Sequence, residues 1–220
     1  MLEHSLKVSR TAHYYTLGQT GKHLRYCWLV CHGYGQLASQ FVQNFEVLDL
    51  SDTLVIAPEG LSLFYWQGFT GDPVASWMTR AHRLDEINDY SAYLSQVLDI
   101  YRAQLPDDCR IVLFGFSQGC ATQLRWITQV HPAFDHLILW AGMMPEDIDY
   151  APHLDYFSKK NIHLVYGESD QFLTPERMDQ YRALIRQSGL HFQLHSFDGR
   201  HVVERKMLSK MEAMVRNSTD

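Results

Sequence analysis

The chain has no run near the roughly 18 consecutive apolar residues needed to cross a bilayer. Its longest apolar segments, YCWLVC and LILWAGMM, stop well short, so no membrane span is expected. It lacks a basic excess, with a formal net charge of -6 and a pI near 6.0. A nucleic-acid partner, which needs clustered Lys and Arg to displace counterions, is excluded on that ground. The opening segment MLEHSLKVSRTAHYYTLG alternates polar and apolar residues and has no continuous apolar core of the secretory kind, which makes a cytoplasmic location the expectation. Cysteine is scarce: Cys27, Cys31, Cys109 and Cys120 show no paired zinc spacing. They read as four reduced, buried thiols, with no metal site. Internal repeats, low-complexity tracts and linkers are also missing, so residues 1–220 read as one domain.

What is there is a globular composition, 46% hydrophobic and 20% charged over 220 residues. That is enough to build a single core. Short β-rich runs alternate with longer helical patterns, which predicts an α/β fold, a mostly parallel sheet flanked by helices with no separate cap domain. The predicted strands cover 25–31, 53–57, 110–114, 136–140, 162–166 and 191–197, and 11–17 reads as a weaker edge strand. Helices are expected over 36–48, 84–103, 118–130, 175–188 and 202–216, with Thr174 capping Pro175 at the start of the fourth. Residues 59–83, EGLSLFYWQGFTGDPVASWMTRAHR, read as an aromatic-rich functional loop without regular structure.

The chemistry concentrates at strand ends. Gly115-Phe116-Ser117-Gln118-Gly119 follows RIVLF and precedes an amphipathic run. This is the strand-turn-helix setting of a nucleophile elbow, in which two glycines permit a tight turn and strain presents the serine hydroxyl. A serine at neutral pH needs a base, and in this chain order an acid and then a histidine must follow. Asp170 comes directly after the predicted strand IHLVY, and His201 directly after the last strand. Glu168, Asp198 and Asp147 are the competing acids, while His191 and His195 fall inside the last predicted strand. Cys31-His32-Gly33-Tyr34-Gly35-Gln36 lies between a strand and a helix, where the N–H of Tyr34, with that of Gln118, could bind an oxyanion. His32 reads as a structural hydrogen-bonding residue. In the aromatic loop, Phe64, Trp66, Phe69, Trp77 and Met78 are the expected substrate-binding wall.

The ordered set HGYGQ, IAPEG, GFSQGCAT, AGMMP, GESDQFLTPE and FDGRH resembles the phospholipase/carboxylesterase family of α/β-hydrolases across most of the chain. The resemblance implies a Ser117, Asp170, His201 triad, backbone oxyanion donors at Tyr34 and Gln118, and no cofactor. Its members include small carboxylesterases and acyl-protein thioesterases. The expected activity is that of a serine esterase, with a small-molecule ester as the partner and homo-oligomerisation left open. The chain departs from the family at Gln36, where an acidic residue is usual, and it lacks the usual tryptophan-phenylalanine-aspartate stretch of the following loop. Residues 64–69 and 75–78 stand in its place.

Overall fold

The computed structural model describes residues 1–218. In chain order the strands are β1 (Tyr14–Leu17), β2 (Tyr26–Cys31), β3 (Thr53–Pro58), β4 (Ser62–Tyr65), β5 (Pro73–Ser76), β6 (Arg110–Phe116), β7 (His136–Trp140), β8 (Asn161–Gly167) and β9 (Gln193–Phe197). The helices are α1 (Ala38–Phe41), α2 (Arg83–Arg102), α3 (Gln118–Val130), α4 (Leu154–Phe157), α5 (Pro175–Ser188) and α6 (Arg205–Asn217). Seven strands form one sheet in the order β1-β3-β2-β6-β7-β8-β9. Every pairing in it is parallel except that of β1 with β3, which is antiparallel.

The sheet forms where it does because its central strands are apolar on both sides. All six residues of β2 and of β3, and all five of β7, are buried, as expected of parallel strands covered on both faces. Since alternate side chains point to opposite faces, each strand feeds two cores. Cys27, Leu29, Ile111, Leu113, Leu137, Leu139 and Leu164 pack with α2, α3 and α5 through residues such as Tyr90, Leu94, Leu124 and Tyr181. Trp28, Val30, Val112, Phe114, Ile138 and Trp140 pack on the other side against Phe41, Phe45 and α6. Helix α6 presents Met207, Leu208, Met211 and Val215 to that core, and burial of each such side chain contributes roughly 1.5–3 kcal/mol.

Several expectations are corrected. Residues 59–83 are not irregular, because 62–65 and 73–76 pair as an antiparallel hairpin, β4–β5, with the glycines and Gln67 in its turn. The helix expected over 36–48 breaks into α1 and a 3-10 turn at Val42–Val47, where the Asn44 carboxamide donates to Phe41 O at 2.9 Å. Such local side-chain bonds compete with the helical ladder. Helix α6 begins three residues later than expected, because Glu204 accepts from the N–H groups of Lys206 and Met207 at 3.0 and 2.7 Å and caps it there. Cys109 is half-buried, whereas the other three thiols are buried. Among the described residues no helix is long and apolar enough to cross a membrane.

Candidate active site

In open parallel sheets, ligands meet the carboxyl ends of the strands, and the singled-out residues gather there. At the end of β6, Ser117 has φ 52° and ψ -114°. This left-handed conformation is unusual for a residue with a Cβ and costs on the order of 1–3 kcal/mol. It is enforced on both sides: the Ser117 N–H donates to Trp140 O at the end of β7 at 2.8 Å, and α3 starts at the next residue. Gly119 must be a glycine because a Cβ there would stand 2.2 Å from Cys31 O at the end of β2. The start of α3 is thereby pressed against the segment that follows β2. As the first helical residue, Gln118 keeps an N–H without an intrahelical acceptor, at the end of the helix that favours negative charge.

The acid and the histidine are brought together by two adjoining loops. Gly167, closing β8, approaches the turn after β9 so tightly that a Cβ would lie 2.4 Å from Gly199 O. The loops are stitched by Glu168 N–H to Phe197 O and Ser169 N–H to Gly199 O, both at 2.9 Å. His201 Nδ1 then lies 2.7 Å from Asp170 Oδ2. A carboxylate only accepts, so Nδ1 carries the proton and Nε2 is left as the acceptor. Asp170 is buried at 4% exposure and also accepts from the Phe172 N–H through Oδ1 at 2.8 Å. The imidazole sits between two rings, with centroids 4.9 Å from Phe116 and 4.7 Å from Phe172. Phe116 is the residue immediately before Ser117. The chain beyond the histidine is anchored by Trp140 Nε1, which donates to Val202 O at 2.8 Å.

The competing acids are engaged elsewhere. Asp147 pairs with Arg83 and Arg125 at 3.0 and 2.8 Å, Glu168 accepts from Ser196 Oγ at 2.8 Å, and Asp198 is exposed. Burial pushes the Cys120 thiol well above its ordinary value, so it stays protonated beneath the elbow and does not compete as a nucleophile. His191 precedes β9, while His195 lies within it beside His163, with nitrogens 3.2 Å apart.

On the facing loop, the N–H groups of Gly33 and Gly35 are committed, to Gln36 Oε1 at 2.8 Å and Ala75 O at 2.9 Å. The intervening Tyr34 N–H is the one of the three that carries no such bond among the described residues. His32 supports this loop from below. Its Nε2 accepts from the Gly60 N–H at 2.9 Å, so its Nδ1 is the donor to Gly33 O at 2.7 Å. Burial lowers its pKa to about 4 and keeps it neutral.

The five expected wall residues divide. Phe64 and Trp66 pack with Tyr34 in a cluster, with centroids 5.3 and 5.9 Å from it. Phe69, at the hairpin tip, is 97% exposed. Trp77 is a correction: at 1% exposure it is a core residue, its ring tilted against that of His32 with centroids 5.0 Å apart, and its Nε1 donates to His32 O at 2.9 Å. An indole is drawn inward when its one polar atom finds a buried acceptor. Met78 is half-buried, with Sδ 3.5 Å from Arg125 Nη1. Two features escaped the sequence reading. Phe172 covers the imidazole, and its place two residues after Asp170 could have marked it. The Gln118 carboxamide binds the 76–78 segment, which no sequence pattern signals.

A cavity of about 630 Å³ lies beside β1 and the C-terminal end of α2, lined by Tyr14, Thr16, Leu54, Tyr101 and Gln104 among others. Its lining brings no serine or cysteine together with a histidine. Among the described residues no cluster of three or more His, Cys, Asp or Glu is arranged for a metal ion.

A mostly parallel sheet, a strained serine between strand and helix, and an acid–histidine pair on the loops after β8 and β9 define the α/β-hydrolase class. The sequence profile of the family described as Phospholipase/Carboxylesterase matches residues 21–219. The chain belongs to that family. Its fold is similar to that of Zea mays acyl-protein thioesterase 2 (16% identity, 94% of this chain and 98% of that one, TM-score 0.71). It is similar also to a carboxylesterase from Mesorhizobium loti (17% identity, 94% and 95%, TM-score 0.71) and to the Bacillus cereus carboxylesterase (14% identity, 93% of each, TM-score 0.65). At such identities the likeness shows the fold alone. A search of curated protein sequences found no match.

Proposed function

We propose that the protein is a serine carboxylesterase that hydrolyses small or medium acyl esters through Ser117, His201 and Asp170. The observation that carries this reading is the 2.7 Å bond between His201 Nδ1 and buried Asp170, made against the ring of the residue next to a strained Ser117. With Nδ1 held as donor, Nε2 takes the Ser117 proton as Oγ bonds to the ester carbonyl carbon. The negative charge passes to the carbonyl oxygen, where the N–H groups of Tyr34 and Gln118 receive it. Each such donor lowers the barrier by about 3 kcal/mol. His201 then returns its proton to the departing alcohol as the ester C–O bond breaks, leaving an acyl-Ser117. Water, deprotonated by the same nitrogen, attacks the acyl carbon; the acyl–Oγ bond then breaks, His201 returns the proton to Ser117 Oγ, and the acid is released. Asp170 stabilises the imidazolium in both halves.

A fluorophosphonate should label Ser117, and the native enzyme should turn over p-nitrophenyl esters. Running a chain-length series beside an acyl thioester decides between an esterase and a thioesterase. Labelling or turnover that survives in Ser117→Ala would overturn the assignment. Tight binding of an ester without either would point to a non-catalytic ligand-binding protein of this fold.

A further inference from the structure

The return strand of the aromatic hairpin is fastened to both segments that carry the proposed oxyanion donors. On one side the Gly35 N–H donates to Ala75 O at 2.9 Å and the Ala75 N–H to Gln36 O at 3.2 Å, an antiparallel bridge that flanks Tyr34. On the other side the Gln118 carboxamide acts as a short artificial strand. Its Oε1 accepts from the Trp77 N–H at 3.1 Å, and its Nε2 donates to Met78 O at 2.9 Å. Ser76 Oγ lies 3.3 Å from the same carboxamide. Trp77 closes the triangle from beneath through its bond to His32 O. The hairpin also leans on the donor itself, since the rings of Phe64 and Trp66 both pack on Tyr34. Trp66 further sits where a Cβ on Gly35 would be only 2.6 Å away. From Ser62 to Gly71 the hairpin carries no charged residue, and it exposes the rings of Trp66 and Phe69, so the surface it offers suits an uncharged, apolar group.

We propose that the side chain of Gln118 is a positioning group that locks the aromatic hairpin to both oxyanion segments, so that an apolar substrate group seated on the hairpin acts through kcat rather than KM. This inference rests on the esterase reading above. The carboxamide suits the task because it accepts and donates at once, pairing with the backbone N–H of Trp77 and the backbone C=O of the next residue, Met78. Neither a methionine nor a carboxylate of similar length can do both. The oxyanion donors must hold their distance within tenths of an ångström, and a displacement of 1 Å in a positioning element can cost roughly 10²-fold in rate. A hairpin moved by its ligand therefore tunes the chemical step.

The test uses the full chain and two variants, Gln118→Met and Gln118→Glu, with two readouts. Hydrogen exchange of the native protein and Gln118→Met should show the Trp77 amide opening faster in the variant, and with it Gly35 and Ala75, while amides in α2 stay unchanged. If Gly35 and Ala75 keep their native rates while Trp77 opens, the two segments are not coupled and the proposal falls. That measurement decides the coupling whether or not any ester is turned over, whereas absence of fluorophosphonate labelling at Ser117 in the native protein would sink the parent reading instead.

In kinetics on p-nitrophenyl esters, Gln118→Met should lower kcat by roughly 10- to 10²-fold, with KM within threefold. The native preference among acyl lengths, expressed in kcat, should flatten in the same variant. A loss confined to KM would overturn the proposal. The glutamate variant separates positioning from packing. As a carboxylate it repels Met78 O, and once protonated it can donate to that carbonyl while still accepting from Trp77. Its kcat relative to the native enzyme should thus rise as the pH falls through the carboxyl range, and a constant ratio would count against the inference.

Discussion

Replacing Asp170 by Asn tests the heart of the site with almost no change in shape. The two carboxylate oxygens have separate duties: Oδ1 accepts from the Phe172 N–H at 2.8 Å, and Oδ2 from His201 Nδ1 at 2.7 Å. Asparagine has one oxygen. Turned toward His201, it would set its NH2 against the Phe172 N–H and leave buried donors unpaired, at a cost of roughly 1–3 kcal/mol. Turned toward Phe172, it presents the NH2 to His201 and moves the imidazole proton to Nε2, the nitrogen that must take the proton from Ser117. The second orientation therefore prevails. The working tautomer becomes the minor one, and the imidazolium formed on attack loses a charge-assisted partner worth a further 1.5–3 kcal/mol or so. Together these raise the barrier enough to lower kcat by roughly 10²- to 10⁴-fold. The assay is hydrolysis of a small p-nitrophenyl ester, with circular dichroism and the melting temperature verifying that the variant is folded. A folded Asp170→Asn enzyme within tenfold of native kcat would refute the reasoning.

Three other outcomes follow from the same geometry. Ser117→Gly removes a left-handed strain at φ 52° and should be inactive yet more stable than native by about 1 kcal/mol, or about 3 °C in Tm by thermal shift; an unchanged or lower Tm would show that the elbow stores no strain. Trp77→Phe strips the donor from buried His32 O and should cost roughly 1–3 kcal/mol of stability in urea titration, whereas Trp66→Ala, on an exposed ring, should leave stability within about 0.5 kcal/mol. Finally, burial lowers His136 to about 4, and burial with its neighbours His136 and His195 lowers His163 to about 3, from an ordinary 6.5. Below pH 6.5 the unfolded chain binds protons that these folded imidazoles refuse, so stability is fully present above that pH and falls as the pH drops toward 4, by up to roughly 3 kcal/mol for each group. His163→Leu should shift the acid unfolding midpoint to lower pH, and a midpoint that rises or stays fixed would contradict the assignment.

The sequence by itself determined what is local or periodic. Short, nearly continuous apolar runs such as YCWLVC and HLILW, bounded by turn residues, suit strands buried on both faces, and β2 and β7 lie inside the sheet. Chain order then places Ser117, Asp170 and His201 just beyond the ends of β6, β8 and β9. The Gly-rich letters around Ser117 specify a turn because no side chain fits there. Tertiary structure alone decided which partners those residues meet. Glu168, Asp170 and Asp198 are equivalent as letters, and only the closeness of the two loops at Gly167 gives Asp170 to His201. Trp66 and Trp77 are likewise both aromatic residues of one segment, yet one is exposed and the other buried. The buried indole packs with Tyr90 in the core and finds an acceptor in the His32 carbonyl, placed by a strand 45 residues earlier in the chain. The pairing of 62–65 with 73–76, and the stitching of that hairpin to Gly35 and Gln118, are contacts between backbone groups that every residue carries. Composition cannot encode them, because they arise only when packing brings the segments within hydrogen-bond reach.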